Sequence, residues 1–255
     1  MIADTWTVMV KEWREYLAGS SAGGGSGRGR GVIAILLIIG VISILLPLDL
    51  GHEFFTSAAP VLVDGLYLPL IILLNLVADS FAGERERHTL ETLLASRLSD
   101  RAILFGKVGA SVAFGWSLAM LAALVQAVVA NLSPNSAGSG AGLAFYPAGS
   151  VVAIVVLGFL TALLASSAGC LVSLHASSTR QAQVNLGVGF LVLIFVPFII
   201  IKLLPHSMQS AILGALNSSS PGQVFLIFVV VLLVVDVVLL LISLALFQRS
   251  RLILS

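Results

Sequence analysis

The feature that most limits the fold of this chain is a series of long apolar runs almost free of charge. Of its 255 residues, 58% are hydrophobic and only 10% are charged. About 20 such residues form an α-helix that crosses a bilayer, and the helix satisfies its own backbone hydrogen bonds there. The composition therefore predicts an all-α integral membrane protein. The predicted membrane spans are the six runs 32–48, 54–78, 103–130, 148–174, 184–204 and 223–247.

The basic residues are distributed unequally between the two sides that this topology defines. With six spans both termini lie on one side, and of the 13 Lys and Arg residues only Lys202 falls on the other. Basic residues accumulate in cytoplasmic segments. We therefore expect cytoplasmic termini and insertion in the plasma (inner) membrane. The expected domains are a cytoplasmic helix and Gly-rich linker (1–30), the spans (31–247) and a cytoplasmic tail (248–255).

The N-terminal segment predicts an amphipathic helix at the membrane surface. Residues 1–18 carry an apolar stripe at helical spacing with charged side chains between its members. The stripe consists of Trp6, Val10, Trp13 and Leu17. Tryptophan favours the headgroup region, whereas the basic residues remain in water. A soluble helix packed on a partner is the alternative. The Gly- and Ser-rich tract 19–31 that follows predicts a flexible linker.

One internal segment, residues 79–107, is densely charged. Inside it Leu90, Leu93 and Leu94 fall at i, i+3 and i+4, which predicts a short amphipathic helix at the membrane surface. Because no other internal segment offers as much polar surface, it is the expected docking surface for a soluble partner. A solvated loop between two spans is the alternative.

Four residues predict where helices turn, begin or break. Gly83 allows the chain to turn after the second span, and Ser99 or Asp100 is expected to cap the helix that re-enters the bilayer. Pro197 is expected to kink or break the fifth span.

The charged segment resembles the cytoplasmic loop of the ATP-binding-cassette (ABC) type-2 export permeases. The resemblance rests on Glu84-Arg85-Glu86, Thr89-Leu90-Glu91, Leu93-Leu94 and Gly106-Lys107. It departs from the family pattern at His88, where glycine is usual, and at Arg97-Leu98, which replaces a proline-containing step. In that family the loop joins the second and third spans and carries a coupling helix that sits in a cleft of a separate ATPase. The implied ATPase contacts are Glu84, Arg85, Glu86, Thr89, Leu90, Glu91, Leu93 and Leu94.

The resemblance also implies a function and its partners. The chain would be the permease subunit of an exporter, acting as a homodimer with two ATPase subunits that bind ATP and Mg. It carries no nucleotide-binding motif, so we expect no enzymatic activity from it alone. The alternative is an ATP-driven membrane scaffold that acts on an extracytoplasmic partner rather than moving a solute.

Several polar residues fall inside the predicted spans. Asp236 lies near the middle of the sixth span, where a carboxylate facing lipid costs several kcal/mol, so its side chain should face the bundle interior, be protonated or pair with a polar group. A structural hydrogen bond and a role in the translocation path both remain open for it. Asp64 is nearer the outer end of its span, where its side chain could reach solvent, and it is also a candidate for a buried polar residue or for the translocation path. Asn75 and Gln126 are candidate partners for hydrogen bonds between helices.

Small residues at a spacing of four mark one face of the fourth span. Ala165, Gly169 and Ser173 permit close helix contact, either within the subunit or across a dimer. The single cysteine and the four histidines are scattered, so neither a metal site nor a hydrolytic site is predicted.

Overall fold

A computed structural model describes residues 2–18, 28–86, 88–89, 97–136, 142–205, 208–209 and 220–247. Within these residues the secondary structure is helical and contains no strand, which confirms the all-α prediction. The helices are α1 (Ile2–Ala18), α2 (Arg28–Leu50), α3 (Glu53–Thr56), α4 (Ala59–Leu62), α5 (Leu68–Ala78), α6 (Ala82–Glu86), α7 (Asp100–Leu132), α8 (Ala148–His175), α9 (Thr179–Leu203) and α10 (Pro221–Leu246). A π-helical turn occupies Val63–Tyr67, and a 3₁₀ turn occupies Pro134–Ser136.

Four segments of the described chain are long and apolar enough to cross a bilayer. They are Ala59–Glu86, Asp100–Leu132, Ala148–His175 and Gly222–Leu246. Each overlaps one of the predicted spans, although Ala59–Glu86 continues beyond the predicted end at 78, and α2 and α9 occupy the positions of the other two. The protein is therefore a multi-pass membrane protein.

Two helix boundaries differ from the sequence-based expectations. The predicted linker 19–31 ends earlier, because α2 already begins at Arg28. The predicted second span 54–78 is interrupted after α3, where Ser57 is extended with a ψ of 168°. Pro60 at the start of α4 suits this break, since proline is tolerated in the first turn of a helix and not in its interior.

Two predicted helix signals have clear outcomes. Ser99 is the N-cap of α7, and its hydroxyl accepts a hydrogen bond from the backbone N–H of Ala102 at 3.3 Å. This confirms one of the two capping candidates. Helix α9 continues through Pro197, so of the two predicted outcomes the break does not occur there, and the kink stays a prediction.

Helix α8 lies at the centre of the bundle and packs against α5, α7, α9 and α10. Its small-residue face is turned toward α5, because a Cβ added at Gly169 would lie 2.5 Å from Cγ1 of Val77. Ala165 and Ser173 on the same face are also buried. The close contact that these residues permit is therefore made within the subunit.

The other long helices surround this centre. Both α1 and α2 pack on α7, and α10 packs on α8 along a narrow contact. Only 6% of the residues in the most apolar window of α10 are buried. Its exposed side chains include Leu226, Val231 and Leu241, and such a surface suits contact with lipid.

Candidate functional site

Buried charges meet at the end of the bundle where the densely charged segment begins. Lys107 lies in the second turn of α7 and is 1% exposed. Its ammonium donates hydrogen bonds to Oε1 of Glu12 at 2.8 Å, to Oε1 of Glu84 at 3.0 Å and to the carbonyl oxygen of Ser80 at 2.9 Å. An ammonium group has three N–H donors, so all of them are used.

A second lysine balances the charge at this point. Nζ of Lys11 donates to Oε1 of Glu84 at 3.2 Å and lies 3.5 Å from Oε1 of Glu12. We call Lys11, Glu12, Glu84 and Lys107 the charge cluster. Its two ammonium groups neutralise its two carboxylates, which is the condition under which buried charges are tolerated. Although partial burial lowers the pKa of Lys11, the carboxylates of Glu12, Glu84 and Glu15 together raise it above the ordinary value of 10.5.

The charge cluster determines which face of α1 is buried. Val8 and Glu12 face the protein interior, while Trp6 is 64% exposed. Gly106 allows this approach, because a Cβ there would lie 2.6 Å from Cβ of Val8. The face of α1 that is buried in the protein is therefore centred on Val8 and Glu12, whereas Trp6 of the predicted stripe is exposed. The position of this stripe at the membrane surface stays a prediction.

Aromatic residues of α1 extend the same contact along α7. Nε1 of Trp13 donates to the carbonyl oxygen of Ala110 at 3.1 Å, and the hydroxyl of Tyr16 hydrogen-bonds Oγ of Ser111 at 3.0 Å. Both rings also contact the ring of Phe114. Helix α1 is thus attached to the span α7 of its own chain.

The three residues of the Glu84-Arg85-Glu86 string bind three different parts of the bundle. Glu84 joins α1 and α7 through the charge cluster. Arg85 donates from Nη1 to the carbonyl oxygen of Ala176 at 2.6 Å and from Nη2 to that of Leu174 at 2.9 Å. Glu86 accepts hydrogen bonds from the backbone N–H and the hydroxyl of Thr179, at 2.9 and 3.1 Å.

The electrostatics of these contacts are favourable at both helix ends. The cationic Arg85 lies at the carboxyl end of α8, where unpaired carbonyl groups carry partial negative charge, and the anionic Glu86 lies at the amino end of α9. Successive side chains of a helix point about 100° apart, so one short helix reaches several neighbours. We call Glu84, Arg85 and Glu86 the anchor tripeptide.

The turn that precedes α6 is held by the small-residue face of α8. The backbone N–H groups of Phe81 and Ala82 donate to Oγ of Ser173 at 3.0 and 2.9 Å, and this hydroxyl donates to the carbonyl oxygen of Ala78 at 2.9 Å. The turn therefore occurs at 79–81. Gly83, where the sequence predicts the turn, is a helical and buried residue of α6.

The chain leaves α6 through a left-handed residue. His88 has a φ of 55°, and its N–H donates to the carbonyl oxygen of Arg85 at 3.1 Å. The next N–H, that of Thr89, donates to the carbonyl oxygen of Glu84 at 2.9 Å. Glycine is favoured at such a helix end because it has no Cβ. His88 thus adopts a left-handed conformation at the position where the family pattern that the loop resembles has glycine.

The remainder of the predicted ATPase contact lies outside the described residues. This part comprises Leu90, Glu91, Leu93 and Leu94. The amphipathic helix that they predict, and the contact with an ATPase, stay predictions. The side chain of Glu84 is 7% exposed and is bonded to Lys107 inside the chain, so it leaves little surface for contact with a partner.

Two of the predicted buried polar residues lie together in a second site. Nε2 of Gln126 donates to Oδ1 of Asp64 at 2.8 Å and lies 3.4 Å from Oγ of Ser43. Gln126 therefore bridges helices as the sequence predicts. The expectation that Asp64 reaches solvent is wrong, because the residue is 0% exposed. It belongs to the π-helical turn, whose backbone packs against α8.

Asp236 and Asn75 complete the predicted set. Asp236 is 1% exposed, which confirms that it faces the interior, and neither of its carboxylate oxygens has a hydrogen-bond partner among the described residues. The side chain of Asn75 lies outside the described part of the structure. Within the described ranges no group of three or more His, Cys, Asp or Glu residues is arranged to hold a metal ion.

Comparison with known proteins identifies the family of the chain. No curated protein matches the sequence. A family model described as "ABC-2 family transporter protein" matches residues 53–248, from α3 to just beyond α10. The match includes the anchor tripeptide, the helices α7, α8 and α9 that it binds, and Asp64, Gln126 and Asp236, whereas α1 precedes it. It covers well over half of the chain, which therefore belongs to the ABC-2 family of transporter proteins, the membrane components of ABC transporters.

Proposed function

We propose that this chain is the permease subunit of an ABC exporter, in which a separate ATPase drives a substrate across the plasma membrane. The observation that carries the proposal is the anchor tripeptide. It lies directly before the loop that resembles a coupling helix, and its side chains bind α1, α7 and the facing ends of α8 and α9. A partner that moves the loop would therefore move several membrane helices at once.

The proposed sequence of events begins with ATP, which is bound with Mg by the ATPase subunits. ATP binding closes the two ATPase subunits on each other, and loop residues 84–94 follow that motion. The charge cluster and the bonds of Arg85 and Glu86 then transfer it to the spans. Because these groups are buried or bonded to backbone, the transfer needs little rearrangement of side chains.

The proposed topology has six spans, with α2 and α9 as the first and fifth. Both termini and the loop 79–102 then face the cytoplasm, which agrees with the distribution of Lys and Arg residues. A homodimer with two ATPase subunits would supply a twelve-span pathway. A membrane-impermeant thiol reagent tests the topology, and it should label Leu143→Cys from outside the cell and Arg97→Cys only after the membrane is opened. The native Cys170 is buried and gives little background.

Two substitutions in the loop test whether it docks on the ATPase, one inside the predicted interface and one beside it. Leu94→Asp places a charge in the cleft of the ATPase, where a buried leucine contributes a few kcal/mol, whereas an exposed charge such as Arg97 contributes less than about 1 kcal/mol. We expect the ATPase to co-purify with Arg97→Ala and to be lost from Leu94→Asp. ATP hydrolysis by the complex in lipid should follow the same order. Full retention of the ATPase and of its activity by Leu94→Asp would contradict the proposal.

The same preparation separates export from the scaffold alternative. An exporter should show ATP hydrolysis that is stimulated by a transported compound. A scaffold should respond instead to an extracytoplasmic partner protein, with no solute movement.

A further inference from the structure

The second polar site contains two buried oxygen atoms without partners. Asp64 and Gln126 are both 0% exposed, yet Oδ2 of Asp64 and Oε1 of Gln126 have no hydrogen-bond donor among the residues that the structure describes. Both residues lie in candidate membrane spans, Ala59–Glu86 and Asp100–Leu132. An unpaired acceptor in such surroundings costs about 1–3 kcal/mol, and an ionised carboxylate costs more. Two unpaired acceptors at one contact indicate that a donor is missing.

The backbone around Asp64 leaves the carboxyl group little freedom to turn elsewhere. Oγ1 of Thr161 on α8 donates to the carbonyl oxygen of Gly65 at 2.7 Å. A Cβ at Gly158 would lie 3.4 Å from the carbonyl oxygen of Asp64, so α8 and the π-helical turn are in close contact. Such turns are frequent at functional sites. The carboxyl group is thereby held toward α7, where Gln126 donates to Oδ1.

A protonated carboxyl group on Asp64 would supply the missing donor. We propose that Asp64 and Gln126 form a proton-binding site inside the membrane, with the proton on Oδ2 of Asp64 and shared with Oε1 of Gln126. The amide already donates to Oδ1, so a protonated carboxyl group completes a cyclic acid–amide pair with two hydrogen bonds. One proton satisfies both unpaired oxygens and removes the buried negative charge.

Other occupants fit the described site less well. No lysine or arginine of the described chain forms an ion pair with Asp64, and Ser43 adds a single hydroxyl, which lies 3.4 Å from Nε2 of Gln126. A calcium ion takes six to eight oxygen ligands, which exceeds what these side chains offer. Tyr146 faces the site from outside the spans, and burial raises the pKa of its hydroxyl. Its hydroxyl donates to the carbonyl oxygen of Ala123 at 2.9 Å, so it is not the missing donor.

Carbodiimide labelling of the full chain in lipid vesicles tests the proposal. Dicyclohexylcarbodiimide is apolar and reacts with protonated carboxyl groups, whose acid adds across the reagent and rearranges to an N-acylurea without losing any atoms. A carboxyl group with an ordinary pKa is protonated in only about one molecule in a thousand at neutral pH, so a protonated Asp64 should be labelled roughly a thousandfold faster than the exposed Asp49. Peptide mass spectrometry measures both adducts, and the rate at Asp64 should fall when the pH is raised.

Two variants give a readout that does not depend on the reagent. Asp64→Asn replaces the protonated oxygen by an amide donor, so it should keep the cyclic pair and the thermal midpoint of the wild type. Asp64→Leu removes the pair and should lower the midpoint. An ionised Asp64 gives the opposite pattern, with no adduct and a higher midpoint for Asp64→Asn because a buried charge has been removed. That pattern would overturn the proposal.

Discussion

Replacing Lys107 by methionine tests the charge cluster most severely. The change keeps the apolar stem of the side chain but removes three hydrogen bonds and one charge from a residue that is 1% exposed. Glu12 and Glu84 would remain buried with Lys11 as their only cluster cation. Removing one partner of a buried ion pair typically costs about 3–5 kcal/mol, because the other charge is left without compensation. This cost lowers the folding equilibrium constant by roughly two to four orders of magnitude.

The loss is measured as the detergent concentration or temperature at which the purified protein unfolds. Lys202→Met is the matched control, since the same substitution at an exposed lysine should have little effect. The double variant Glu12→Gln/Lys107→Met should regain part of the loss, because Lys11 and Glu84 then balance each other. If Lys107→Met unfolded together with Lys202→Met, the cluster would not stabilise the fold and the reasoning would be refuted.

Two further predictions use the same unfolding assay. Gly169→Ala should destabilise the protein by about 1–3 kcal/mol, since the new Cβ would lie 2.5 Å from Val77, while Gly187→Ala, with open space around it, should be neutral or stabilising. His88→Gly should be neutral or stabilising by up to about 1 kcal/mol, because glycine has no Cβ to oppose the left-handed conformation. His88→Val should be destabilising, because a β-branched residue disfavours this conformation more strongly than histidine does. Equal stability of Gly169→Ala and Gly187→Ala, or of His88→Gly and His88→Val, would contradict the geometry described for these residues.

The positions of the helices could be predicted from the sequence because transfer of apolar residues into the bilayer dominates their free energy. The sixth predicted span, 223–247, differs by one or two residues at each end from α10 (Pro221–Leu246). The N-cap at Ser99 was also predictable, since it depends on residues that are close in the sequence.

The charge cluster could not be predicted from local patterns because its members come from distant parts of the chain. Glu12 and Lys107 are separated by 95 positions, and neither hydrophobic periodicity nor spacing relates them. One signal was nevertheless present. Lys107 falls inside an apolar predicted span, and a buried lysine there requires carboxylates at the same depth. The burial of Asp64 could not be predicted from local patterns either. The π-helical turn that directs its side chain inward depends on packing against α8.

Photo-crosslinking from residue 94 tests directly whether the loop 79–102 of this permease docks on an ABC ATPase. A photoreactive phenylalanine analogue is introduced at Leu94, and separately at the exposed Leu143, which the proposed topology places on the other side of the membrane. Illumination of intact membranes should join residue 94 to a protein with a nucleotide-binding motif, identified by mass spectrometry, and residue 143 should give no such adduct. An adduct with the ATPase from residue 143, or none from residue 94 in a complex that still co-purifies, would contradict the account.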